Sequence, residues 1–97
     1  MLVAGEFFFD PSMSLFKRHF PGRPVVPGSL ILGTFLKEIS GVWGIPCTYM
    51  EVERFHFMRF VSPGTYGYEI ERSGPRVLCR LIQDNMVFAR GSIRLRC

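Results

Sequence analysis

His19-Phe20-Pro21-Gly22-Arg23-Pro24-Val25-Val26-Pro27-Gly28 runs directly into an apolar stretch from Ser29 to Ile39. Three prolines and two glycines among those first ten residues make a stiff loop. Proline fixes φ and removes an N–H donor, so this segment cannot be a central strand. Beyond it, Leu30, Ile31, Phe35, Leu36 and Ile39 recur at mostly helical spacing, with Ser29 as a candidate N-cap. The first turns are apolar nearly all round, which predicts a helix covered on most sides. Gly41 and Gly44 read as stop signals and Pro46 bars continuation, so one helix is expected over about Ser29 to Ser40. A histidine held beside a helix N-terminus, where N–H groups lack intrahelical partners, suits the binding of a carbonyl or an anion.

Outward from this stretch the chain reads as strands. Leu2 to Phe9 is one, followed by a turn at Asp10-Pro11-Ser12-Met13-Ser14. Tyr49 to Val61 is rich in Val, Phe and Tyr. Tyr66 to Arg72, Arg76 to Gln83 and Met86 to Leu95 follow, punctuated by Ser62-Pro63-Gly64-Thr65, Ser73-Gly74-Pro75 and Asp84-Asn85. The order strand, helix, four strands in meander predicts an α+β fold, with an antiparallel sheet of about five strands wrapped around one central helix. No repeat or composition break divides the 97 residues, so residues 1–97 are read as one domain.

Composition narrows the function classes. Apolar residues make up 47 % of the chain, with ten phenylalanines, which favours a packed core plus an apolar interface over disorder. No apolar run approaches the roughly 20 residues that span a bilayer, and no signal peptide is read at Met1-Leu2-Val3-Ala4, so the expected location is the cytoplasm without membrane attachment. Cys47, Cys79 and Cys97 are widely spaced without a C-x-x-C pair, which predicts buried or terminal thiols and no metal site. The net charge of +4 is scattered along the chain and does not form the contiguous basic patch that nucleic acid would need. His56, in a strand beside Arg54, reads as an exposed or interfacial residue, and Trp43 as a core or interface contact.

The stretch His19 to Gly28 resembles the signature loop of the 3-hydroxyacyl-acyl-carrier-protein dehydratases of the FabA/FabZ type. His56-Phe57-Met58-Arg59-Phe60-Val61-Ser62-Pro63-Gly64 resembles that family's strand ending in a Val-x-Pro-Gly turn. The likeness runs from Phe7 to Leu95 and is to the shorter members. It implies a hotdog fold, in which a curved antiparallel sheet wraps one long helix, and a chemistry that removes water from an acyl thioester. It makes His19 the base, and the backbone N–H groups at Gly28 and Ser29 the holders of the thioester oxygen. The family's acid, an Asp or Glu fourteen positions after the histidine, falls here on Gly33, and its glutamine one turn later falls on Lys37. Glu38 and Thr34 are near in sequence but point about 100° away from Gly33 around a helix.

The resemblance further implies an acyl carrier protein or coenzyme A thioester as substrate partner, with Lys17, Arg18 and Arg23 as carrier-protein contacts, and no cofactor. A two-fold assembly is expected, either a homodimer or a heterodimer with a homologous subunit that supplies the acid. A catalytically inactive scaffold and an acyl thioesterase are the alternative readings. No interaction with nucleic acid is expected.

Overall fold

A computed structural model of the chain describes residues 1–13 and 24–96. Strand β1 (Leu2–Phe9) is followed by helix α1 (Gly28–Trp43), a single 3₁₀ turn (Cys47–Tyr49), and strands β2 (Met50–Phe57), β3 (Gly64–Ser73), β4 (Arg76–Gln83) and β5 (Met86–Leu95). The strands form one antiparallel five-stranded sheet in the order β1-β3-β4-β5-β2. The expected α+β architecture is therefore present.

Alternation decides which side of the sheet each residue takes. In β1 the exposed and covered positions alternate until Phe7 and Phe9 are buried, and in β4 Val77, Cys79 and Leu81 are buried between exposed Arg76, Leu78 and Arg80. Register partners share a face, so Phe7 pairs with Tyr66, Val3 with Ile70, Leu81 with Ala89 and Val77 with Ile93. Helix α1 lays Ile31, Phe35 and Ile39, four residues apart, on this inner face. Phe35 meets Phe7 edge-on at 5.0 Å, and Phe7 stacks on Tyr68 at 4.1 Å. Full burial of each such side chain contributes about 1.5–3 kcal/mol.

The turns follow the local chemistry. Asp84 and Asn85 both take positive φ, 52° and 62°, between the paired residues Gln83 and Met86. That is the backbone of a type I′ hairpin, which Asp and Asn tolerate. Gly74, with φ of 60°, closes the β3–β4 hairpin where Ser73 pairs with Arg76.

Four sequence expectations change. The helix runs to Trp43 instead of Ser40, because Gly41 is accommodated within it and only Gly44, at φ 66°, turns left-handed and returns its N–H to the Ser40 carbonyl at 2.8 Å. Ser29 is not the N-cap. Pro27 is, and its carbonyl accepts from the Leu30 and Ile31 N–H groups at 3.0 and 3.2 Å without any side-chain cap. The strand expected over Tyr49 to Val61 starts with a 3₁₀ turn and stops at Phe57. Finally, only β3, β4 and β5 form a meander. β2 crosses to the far edge and pairs with β5.

Among the described residues no helix is long and apolar enough to cross a membrane.

Candidate active site

Residues 24–28 of the first motif and the end of the second come together at the N-terminus of α1. Val26, buried just ahead of the helix, donates its N–H to the Val61 carbonyl at 2.7 Å, and Val61 is itself buried. One residue further on, the Ser62 carbonyl accepts the Tyr66 hydroxyl at 2.9 Å, with the Ser62 Oγ at 3.4 Å from the same hydroxyl. Tyr66 is 1 % exposed and wedged edge-on between Phe9 and Phe88 at 5.9 and 5.3 Å. The buried ring therefore fixes the Ser62-Pro63-Gly64 turn, and that turn fixes the entry to the helix.

Gly28 opens the helix under the ring of Phe57, which a Cβ at Gly28 would meet at 2.9 Å. A larger residue at Gly28 would have to displace the Phe57 ring, which is 47 % exposed. Since the Pro27 carbonyl serves Leu30 and Ile31, the N–H groups of Gly28 and Ser29 are the first two donors of the helix and have no backbone acceptor among the described residues. The positive end of the helix dipole adds to their pull on a carbonyl oxygen or an anion.

Gly33 lies in the second turn. It stands about 200° round the helix from Ile31, on the side turned away from the chain's own sheet. A Cβ built there meets nothing within 4 Å, so the position has room for a larger side chain. None of its neighbours offers a substitute acid. The Thr34 hydroxyl is spent on the Leu30 carbonyl at 2.7 Å. Lys37 is exposed. Glu38 lies beside the buried Tyr68, whose phenol is pushed up by burial first and by the Glu38 carboxylate second.

His19, Lys17, Arg18 and Arg23 lie outside the described residues. His56 is exposed, on the opposite face of β2 from Phe57, as alternation dictates. Trp43 is partly buried against the core, with the Arg72 guanidinium 5.6 Å over its ring. Cys79 is buried, whereas Cys47 is exposed, which corrects the expectation of buried or terminal thiols. Among the described residues no group of three His, Cys, Asp or Glu side chains could hold a metal ion.

Phe57 and Tyr66 are the residues that sequence reasoning passed over. Each reads as one more aromatic in an alternating strand, and only the closeness of Phe57 to Gly28, and of Tyr66 to Ser62, separates them from the rest.

Residues 2–72 match the model of the ApeI-like family, described as ApeI dehydratase. The backbone is similar to that of a chain in the dehydratase heterocomplex ApeI:P from Xenorhabdus doucetiae, with a TM-score of 0.75 and 19 % identity over 99 % of this chain and 88 % of that one. It is also similar to an uncharacterized protein from Erwinia carotovora subsp. atroseptica, with a TM-score of 0.72 and 20 % identity over 97 % of this chain and 82 % of that one. No curated protein matches. At these identities the solved structures carry the fold alone, and it is the hotdog arrangement of a sheet around a central helix.

Proposed function

The chain belongs to the ApeI-like dehydratase family, and from that premise we propose that it binds 3-hydroxyacyl thioesters as a FabA/FabZ-like subunit whose catalytic acid comes from a different, homologous subunit. Dehydration needs three groups: a base for the C2 proton, an acid for the hydroxyl leaving C3 as water, and donors for the thioester oxygen as enolate charge develops. In this reading His19 is the base, its imidazole suited to accept a proton near neutral pH. The N–H groups of Gly28 and Ser29 hold the oxygen. Lys17, Arg18 and Arg23 meet the acidic surface of an acyl carrier protein, or the phosphates of coenzyme A, that carries the thioester.

One observation carries the proposal. The N–H groups of Gly28 and Ser29 open the helix without a backbone acceptor among the described residues, and the helix position that would bear the acid is Gly33, with open space where a side chain would stand. A similar fold occurs in a protein whose name is a dehydratase heterocomplex, ApeI:P, and that favours a heterologous partner over a self-sufficient homodimer. A general acid contributes about 10² to 10⁴ in rate, so the chain alone turns over slowly.

The test is a dehydration assay on a 3-hydroxyacyl carrier-protein thioester with three proteins. The unaltered chain alone is expected to be near background. Gly33→Glu is expected to raise the rate by about 10² or more, and His19→Ala in that background to abolish the gain. Addition of a homologous subunit with a carboxylate at the matching helix position should rescue the unaltered chain in the same way. Full activity of the chain alone would place the acid elsewhere. Binding of the thioester with no gain from either Gly33→Glu or the partner would favour the inactive scaffold. Release of free acid in place of the enoyl product would favour the thioesterase.

A further inference from the structure

The sheet has a second face, away from α1, and its charges are unevenly shared. Register places Arg80, Arg90 and His56 side by side across β4, β5 and β2, and Leu78, Ser92 and Arg54 side by side in the next row. These residues, with Glu53 and Arg76, line a groove of about 750 Å³. Four arginines and one glutamate face it. The glutamate is already committed: Glu53 takes the Arg76 Nε at 2.9 Å and the Ser92 hydroxyl at 3.1 Å, and the Arg76 guanidinium beside it holds its carboxyl below the usual range. Arg80 is paired with Glu69 at 3.1 Å on the neighbouring strand. Arg54 and Arg90 form no ion pair among the described residues, and residues 14–23 contain no Asp or Glu. In the second row Leu78 is 49 % exposed.

We propose that this groove docks an acidic, amphipathic segment of a partner protein, with carboxylates on Arg54 and Arg90 and an apolar side chain on Leu78. Two unpaired guanidinia around an apolar floor match carboxylates spaced along one face of a helix or strand. Nucleic acid fits less well, because no Phe, Tyr or Trp lines the groove for base stacking and Glu53 stands among the arginines. A second copy of this chain fits less well too. Glu69 and Glu51 are occupied by Arg80 and Arg96. Exposed Glu71, beside Leu78 in register, forms no ion pair among the described residues, but one free carboxylate does not offset a face-to-face pairing of two chains of net charge +4. The groove lies across the sheet from the helix N-terminus. Its occupant therefore sits behind the candidate active site and leaves access to that site open. Edge pairing through β2 would use backbone groups in the plane of the sheet and also leave the groove uncovered.

The probe is a fluorescein-labelled amphipathic peptide with glutamate on one helical face and leucine on the other, titrated by fluorescence anisotropy. Its controls are the same peptide with glutamine for every glutamate, and an oligothymidylate of similar charge. The double variant Arg54→Ala/Arg90→Ala is expected to weaken binding about tenfold or more, and Arg59→Glu, an equal charge change outside the groove, less than about twofold. Leu78→Lys is expected to weaken binding even though it adds positive charge. Unchanged far-ultraviolet circular dichroism shows that the fold is kept, and the swapped pair Arg54→Glu/Arg90→Glu should prefer a lysine version of the peptide. Equal losses from the double variant and from Arg59→Glu would overturn the proposal in favour of bulk charge. Tighter binding of the oligothymidylate would overturn it in favour of nucleic acid. Self-association of the unaltered protein that the double variant abolishes would assign the groove to a second copy.

Discussion

Cys79 and Cys47 differ only in where the fold puts them. Cys79 sits on the inner face of β4 at 1 % exposure, and burial pushes its thiol up to about 12 from an ordinary 9.0. Cys47 is exposed at the 3₁₀ turn. Because the thiolate is the nucleophile, iodoacetamide at neutral pH should label Cys47 in the folded protein and Cys79 only after denaturant is added, as read by peptide mass spectrometry. The same shift has a consequence for stability, with a definite sign. Above about pH 9 an unfolded chain loses the Cys79 proton that the folded chain keeps until about 12, so the unfolded state binds fewer protons and stability falls as pH rises through that interval. Below pH 9 the group makes no difference. Urea midpoints measured at about pH 8 and about pH 10.5 should therefore drop, and Cys79→Val, close in volume and without a proton to lose, should flatten part of the drop. Tyr68, whose phenol is also pushed up by burial and by Glu38, supplies a remainder of the same sign. A Cys79→Val slope as steep as that of the unaltered protein would remove Cys79 from the account.

At the scale of elements, the helix was legible from its apolar run and from Gly44. Its end was misjudged because Gly41 and Gly44 look alike in sequence, and only the second turns left-handed. The hairpin at Asp84-Asn85 was legible because few residue pairs tolerate two positive φ angles in succession. Strand order was not legible. Alternation states which residues share a face, and it is silent on which strand lies alongside. The close approach of β2 to β5 requires Gly91, paired with Phe55, where a Cβ would fall on the Phe55 ring and the Arg54 carbonyl. No flexible side-chain end can yield there, since one obstacle is backbone. Gly91→Ala should therefore destabilise the protein by about 1–3 kcal/mol, the cost of an overpacked site, read from chemical denaturation. Hydrogen exchange should quicken along Met50–Phe57 more than along β3. Uniform loss of protection would mean that β2 and the rest of the sheet unfold as one unit.

At the scale of the whole molecule, the candidate site and the surface around it both point to an assembly. β2 is an outer strand with six of its eight residues exposed, and its open edge is a pairing template. Large apolar side chains are exposed where it ends: Phe57 and Met58 are each 47 % exposed and Phe60 is 87 % exposed, with Phe57 against the helix N-terminus at Gly28. A 97-residue chain buries a modest share of its surface on its own, and an apolar strip of this kind marks an interface. The strip lies beside the N–H groups proposed to hold a thioester, so a subunit covering it would stand next to the open space at Gly33, where the missing carboxylate would have to arrive. We expect sedimentation velocity to give a particle of twice the 11.2 kDa chain mass or more, and Met58→Lys/Phe60→Lys to shift it to the monomer, because two desolvated ammonium groups in the contact cost more than the lost apolar area returns. The same double variant should lose rescue by a carboxylate-bearing partner subunit while keeping its far-ultraviolet circular dichroism. A monomeric unaltered chain that the partner also fails to bind would contradict the assembly. A homodimer that the double variant leaves intact would move the interface away from the end of β2, and with it the route by which a partner's acid could reach Gly33.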